Sequence, residues 1–88
     1  MDTNVIRELL KHFGHMYEIS EVKMFDAFRE DKAGVDRNIT VKILDMGPEN
    51  PEVRYNCIAA SENGKVATGN GAPTIQEALG IIHWKELD

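Results

Sequence analysis

The chain has 88 residues, of which 42% are hydrophobic and 28% are charged, and its formal net charge at pH 7 is −5. This length allows one domain, and the mixture of apolar and charged residues is typical of a folded globular protein rather than a disordered one. The acidic balance disfavours nucleic acid as the main partner, because domains that bind phosphate backbones usually present a basic surface.

Cysteine content and hydropathy indicate a cytoplasmic protein. Cys57 is the single cysteine in the sequence, so an internal disulfide is excluded. The first residues lack the basic and then apolar pattern of a signal peptide, and no apolar run approaches the length of about 20 residues that a membrane span needs. We therefore expect no membrane association.

The N-terminal region is predicted to form an amphipathic helix over residues 3–13. Its apolar residues recur with helical spacing, and Gly14 is a plausible end. The predicted stripe consists of Val5, Ile6, Leu9, Leu10 and Phe13.

Residues 20–33 favour a second helix. Ser20 is a typical N-cap, Glu21 suits the first turn and Gly34 is a typical stop signal. The alternative is a strand over Tyr17–Phe25, because β-branched and aromatic residues are frequent there.

Three strands are predicted to follow. Residues 39–44 alternate apolar and polar side chains, as do residues 53–59, and a shorter strand covers residues 65–68. A Gly-Pro turn with a second proline separates the first two strands. Asn63-Gly64, a strong hairpin signal, separates the last two.

A last helix is predicted from about Ile75 to Trp84, with a capping box at Thr74 and Glu77. The sequence therefore predicts an α+β domain of order α-α-β-β-β-α, with a three-stranded antiparallel sheet and helices packed on one face. We expect residues 1–88 to form a single domain, in which residues 1–19 are a helical extension and residues 20–88 are an αβββα core.

This order of elements resembles the double-stranded RNA-binding domain over residues 20–84. The most specific matches are Gly47-Pro48-Glu49, which is similar to the family's loop between its first two strands, and the stretch from Gly64 to Ala78. That stretch is similar to the family's third strand and the entry to its last helix. The resemblance implies the family's fold and a surface that binds duplex RNA.

The residues that bind RNA in this family are replaced here. The family places three lysines in the first turn of its last helix, where they contact phosphates, whereas this chain has Ile75, Gln76 and Leu79. Glu77 adds negative charge at the same place, and Asn50 stands where the family often has a histidine. Members without the basic turn bind proteins or dimerise, so the resemblance implies protein contacts.

A second resemblance concerns residues 74–79. Their sequence after three strands is similar to small antitoxin domains of the HicB type, which have a βββα core. This resemblance implies a regulator of the antitoxin type.

No catalytic or metal-binding constellation is predicted. His12 and His15 are three residues apart, but Gly14 interrupts the helix between them, and no further ligands complete a metal site. Cys57 lies in a predicted strand on its core face, which indicates an inert thiol rather than a nucleophile. The glycines before Thr74 lack the lysine of a phosphate-binding loop. The sequence therefore predicts no enzyme and no cofactor.

The sequence instead predicts a binding or assembly module that acts through a protein partner or as a homodimer. Ile81 and Trp84 lie one turn apart and away from the helix stripe that faces the sheet, so they are the leading interface residues, followed by Tyr55. Whether the N-terminal helix covers Ile81 and Trp84 stays open. The alternative function is weak binding of double-stranded RNA through the basic residues on or near the sheet, which are Lys42, Arg54 and Lys65.

Overall fold

The computed structural model describes residues 2–17 and 19–88. Within these residues, two α-helices and four strands are present, with two short 3-10 helices at Pro51–Val53 and Trp84–Leu87. In chain order the helices and strands are α1 (Thr3–Gly14), β1 (Glu21–Glu30), β2 (Asp36–Asp45), β3 (Tyr55–Ser61), β4 (Val66–Thr68) and α2 (Ile75–Gly80).

The described residues form one antiparallel sheet with the strand order β1-β2-β3-β4, so the predicted three-stranded sheet is wrong. The order of elements is α-β-β-β-β-α rather than α-α-β-β-β-α, although the chain remains in the α+β class. The difference lies in residues 20–33, where the predicted helix is replaced by β1 and the turn that follows it.

Long-range pairing explains why β1 is a strand. All ten residues of β1 pair in register with β2, from Glu21 opposite Asp45 to Glu30 opposite Asp36. Gly34, which resembles a helix stop in the sequence, has a φ of 81° and lies in the turn between the two strands. Asp31 stabilises that turn, because its carboxylate accepts hydrogen bonds from the backbone N–H groups of Ala33 and Val35.

The remaining elements agree with the sequence more closely. α1 confirms the N-terminal helix, and β2, β3 and β4 confirm the three predicted strands with small shifts in their ends. The Thr74 hydroxyl accepts a hydrogen bond from the Glu77 N–H, which confirms the predicted N-cap. α2 is shorter than predicted, because it ends at Gly80 rather than near Trp84.

The core lies between α2, the C-terminal 3-10 helix and one face of the sheet, which we call the covered face. Its buried side chains come from β2, β3, β4, α2 and the segments that flank α2. Because side chains alternate along a strand, the opposite face, which we call the open face, carries the other half of each strand. The core residues are Ile39, Ile43, Cys57, Ala59, Ala67, Ala72, Ala78, Ile82 and Leu87.

The molecule is elongated. Its radius of gyration is 15.2 Å and its principal extents are 49 × 24 × 19 Å, whereas a compact chain of this length has a radius of about 12 Å. α1 lies at one end of the sheet, where Thr3 donates a hydrogen bond to Glu21 and Arg7 donates one to the backbone carbonyl of Asp45. None of the helices in residues 2–17 and 19–88 combines the length and apolar character of a membrane span.

The C-terminal 3-10 helix contributes to the core through Leu87, which is 1% exposed. We expect Leu87→Ala to lower the free energy of unfolding by about 2–5 kcal/mol, because it removes buried methyl groups and leaves a cavity. Val35→Ala is the matched control, because Val35 is 43% exposed in a turn. Equal midpoints for the two variants in urea denaturation would contradict this position for the C-terminal segment.

Candidate protein-interaction site

β1 is the most exposed strand of the sheet, and its apolar side chains are exposed on both faces. Phe28 is 77% exposed, Met24 is 59%, Phe25 is 54% and Val22 is 49%. Phe25 lies on the covered face, while the other three lie on the open face, as the pairing with β2 shows. The outer edge of β1, which pairs with no strand among the described residues, is called the free edge below.

An apolar groove separates β1 from α2 on the covered face. Its volume is 540 Å³, and both Phe25 and Trp84 line it. The groove is open because α2 packs mainly over β3. The groove is lined by Lys23, Phe25, Val41, Ile43, Ile75, Leu79 and Trp84.

The open face of the sheet is also partly apolar. Met24, Thr40, Lys42, Ile58 and Ala60 surround a shallow depression of 400 Å³ in the middle of this face. Met24, Lys42 and Ile58 are direct neighbours across three strands. The apolar surface of β1 therefore continues onto β3 around the charged head of Lys42.

α1 presents a second apolar surface. Four residues of its predicted stripe, Val5, Ile6, Leu9 and Phe13, are between 38% and 75% exposed. Within this chain the stripe remains largely in contact with solvent. A helix with a continuous apolar stripe gains stability mainly from covering that stripe, so α1 is also suited to contact a partner.

Asp45 joins α1, β2, β3 and the Gly-Pro turn at one end of the sheet. Its carboxylate accepts two hydrogen bonds from the Arg54 guanidinium, at 2.8 and 3.0 Å, and one from the Gly47 N–H at 2.9 Å. The buried Arg7 lies 3.7 Å from the same carboxylate. Hydrogen bonding by Arg54 holds the pKa of Asp45 below its usual value, with further contributions from Gly47 and Arg7.

The predicted interface residues occupy different positions around the core. Ile81 caps the C-terminal end of α2 and is 42% exposed. Trp84 is partly buried against the core, and its indole N–H donates a hydrogen bond to the Leu79 carbonyl at 3.1 Å. Tyr55 is half-buried at the start of β3, and it lines a different cleft from Trp84.

The basic residues of the alternative function are not brought together. Arg54 precedes β3 and Lys65 follows it, so a strand of about 20 Å separates them. Arg54 is paired with Asp45, and the Lys65 ammonium contacts the Asp88 backbone oxygen. Lys42 is exposed on the open face of β2.

The cysteine and the two histidines considered in the sequence analysis do not form a catalytic or metal-binding site among the described residues. Cys57 is buried, and burial raises the pKa of its thiol, which disfavours the reactive thiolate. The His12 ring packs against Phe13, and His15 ends α1 with a φ of 52°. In the part of the chain that the structure describes, no three His, Cys, Asp or Glu residues form a group that could hold a metal ion.

Sequence reasoning missed β1 as a site, because it assigned residues 20–33 to a helix. The signal that could have found it is the run from Val22 to Phe28, in which apolar residues occur at both odd and even positions. In a strand, that run places apolar side chains on both faces.

Comparison with known proteins finds no relative of this chain. Neither a protein-family model, a curated protein nor a solved structure matches the chain significantly. The resemblances to the double-stranded RNA-binding domain and to HicB-type antitoxins therefore stay predictions from the sequence.

We expect the Asp45 cluster to make stability depend on pH. A lowered pKa in the folded state means that the Asp45 carboxylate stabilises the fold above its unfolded pKa, and that this contribution disappears as the pH falls through the folded pKa. Asp45→Asn should therefore lower the free energy of unfolding at pH 7 by about 1–3 kcal/mol. It should also reduce the loss of stability below about pH 4.

Urea denaturation at a series of pH values checks this expectation. The control is Asp36→Asn, which changes an exposed carboxylate at the other end of β2. Parallel pH profiles for wild type and Asp45→Asn would contradict the role assigned to this carboxylate.

Proposed function

We propose that the protein is a non-catalytic binding and assembly module that acts through protein–protein contacts at β1 and the groove beside it. The observation that carries this proposal is the exposure of β1, with Met24, Phe25 and Phe28 each more than half exposed on a ten-residue strand. Phe25 lines the apolar groove, whereas Met24 and Phe28 lie on the opposite face, and all three lie along the free edge. Three features that favour a partner therefore coincide at β1.

The energetics support a partner at this surface. Burying an apolar side chain of this size stabilises a complex by about 1.5–3 kcal/mol, so several such residues on one exposed strand favour association. An exposed strand edge adds backbone N–H and C=O groups that a partner strand can pair with. Backbone pairing supplies affinity, and the alternating side chains supply specificity.

The predicted interface residues are compatible with this surface to different degrees. Trp84 lines the groove together with Phe25, so a partner that enters the groove would contact it. Ile81 and Tyr55 do not line the groove, and their role in association stays a prediction. Trp84→Ala should weaken association, but it also removes the hydrogen bond to Leu79 and core packing. Trp84 is therefore a poor residue for a first test.

Site-specific photocrosslinking tests the proposal without removing an apolar contact. A benzophenone amino acid replaces Phe28 on β1 and, as a matched control, Val53, which is 50% exposed on the 3-10 helix before β3. After illumination in the protein's own cells, we expect discrete protein adducts from position 28 and few from position 53. Mass spectrometry then identifies each adduct as a second copy or as a different protein.

Two outcomes would contradict the proposal. The first is the absence of adducts from position 28 when the variant is folded and expressed. The second is an equal and diffuse pattern of adducts from positions 28 and 53, which indicates random collision rather than a binding site.

A further inference from the structure

We infer that the partner of β1 is β1 of a second copy, paired antiparallel through the free edge with a two-fold axis at Phe25. This inference rests on the proposed function and specifies its partner. The result is a continuous sheet across two chains, in which each chain supplies the strand that the other lacks.

The length and regularity of β1 suit it for self-pairing. Its ten consecutive pairs with β2 are uninterrupted by a bulge, and β1 contains no proline, so its outer N–H and C=O groups form a regular row. An isologous two-fold contact between identical strands is the simplest closed arrangement for such an edge. Closure also prevents further chains from adding at the same edge.

The two faces of the sheet restrict the possible registers. A two-fold axis perpendicular to the sheet keeps the covered face of both copies on the same side. Directly opposite residues in an antiparallel pair point to the same face, so an odd-numbered residue must lie opposite an odd-numbered one. The axis must therefore place one residue opposite its own copy. A centre at Phe25 or Asp26 pairs nine residues of each strand, whereas a centre at Met24 or Ala27 pairs seven.

Opposite charges and apolar pairs favour the register centred on Phe25. When Phe25 is central, Glu21 lies opposite Arg29 at both ends of the interface, and Val22 lies opposite Phe28. Opposite charges and apolar pairs across strands each contribute about 0.2–1 kcal/mol, and nine residues of each strand are paired.

The neighbouring registers are less favourable. A centre at Asp26 places Asp26 opposite its own copy and Lys23 opposite Arg29, so like charges meet three times. A centre at Met24 shortens the pairing to residues 21–27 and leaves Phe28 and Arg29 without a cross-strand neighbour, and a centre at Ala27 shortens it to residues 24–30. Like charges thus oppose the register centred on Asp26, and shorter pairing opposes the registers centred on Met24 and Ala27, so the register centred on Phe25 is favoured.

The existing contacts already hold the two charged ends in place. Arg29 lies 2.7 Å from the Asp88 carboxylate, and Glu21 accepts a hydrogen bond from Thr3. A guanidinium has five N–H donors, so Arg29 can bind Glu21 of a second copy while it keeps Asp88. At the centre, Phe25 lines the groove of each copy, so the two grooves meet at the axis.

Charge reversal in two separate chains tests the register. Glu21→Arg places arginine opposite arginine in a dimer of that variant, and Arg29→Glu places glutamate opposite glutamate. In a mixed dimer of the two variants, both positions again hold an arginine opposite a glutamate. Analytical ultracentrifugation of each variant, of their mixture and of wild type measures association of the 9.9 kDa chain.

We expect wild type to sediment as a dimer. We expect each variant alone to have a dimer dissociation constant raised about tenfold or more, and we expect the mixture to regain wild-type association as a heterodimer. Recovery in the mixture excludes unfolding of either variant as the cause of the loss. Glu52→Arg is the matched control, because it reverses an exposed charge outside β1 and should leave dimerisation unchanged.

Three other outcomes distinguish a failure of the self-pairing from a failure of the proposed function. Wild type that remains monomeric overturns the self-pairing but leaves the proposed function intact if position 28 crosslinks to a different protein. Dimers whose stability is unchanged in both charge variants overturn the register and the use of β1 as the self-contact. Absence of both dimers and crosslinks overturns the proposed function itself.

Discussion

The length of α2 limits how much of the sheet the chain can cover. A helix of six residues is about 9 Å long, whereas the axes of β1 and β4 are about 14 Å apart. α2 packs over β3, and the C-terminal 3-10 helix packs against β4, so the buried core lies under one half of the sheet. Small side chains such as Ala59 and Ala67, both fully buried, allow this close approach. The other half of the covered face remains an open groove.

Because α2 is short, β1 is the strand that is left least covered. It makes the most extensive strand pairing in the sheet, yet Phe25 and Phe28 remain exposed on opposite faces. A strand with apolar side chains on both faces is typical of the interior of a sheet rather than its margin. Pairing through the free edge would give β1 a neighbour on each side and would add apolar surface beside Phe25 and Phe28. The exposed surface of β1 and the unpaired edge therefore have a single explanation.

The sequence predicts those elements whose signals are local. The amphipathic spacing of α1, the alternation of β2 and β3 and the Thr74 cap all lie within a few residues of the structure they determine. The local signals for β1 conflict: the alternative strand over Tyr17–Phe25 overlaps its first half, but Ser20 and Gly34 resemble helix boundaries. The decisive contacts are made with β2. Propensity is a weak guide when the decisive backbone hydrogen bonds are made with a partner strand.

The candidate site was predicted in part: Trp84 was identified from the sequence, whereas Phe25 was not. Trp84 was singled out as an interface residue and does border the groove, but the prediction assumed one helix through Ile81 and Trp84, whereas α2 ends at Gly80. Phe25 lies in the segment that was predicted to be a helix. Its exposure depends on the short α2 and on the position of β1 at the margin of the sheet, which are properties of the whole fold.

The central claim is that two copies pair through β1 around Phe25. An isotope-filtered NMR experiment on a mixture of labelled and unlabelled protein tests it most directly, because it detects contacts between copies without altering a residue. The account requires contacts between chains from Glu21 to Arg29, from Val22 to Phe28 and from Phe25 to its own counterpart. Contacts between chains that lie outside β1, or that join residues of β1 in a shifted register, would contradict it.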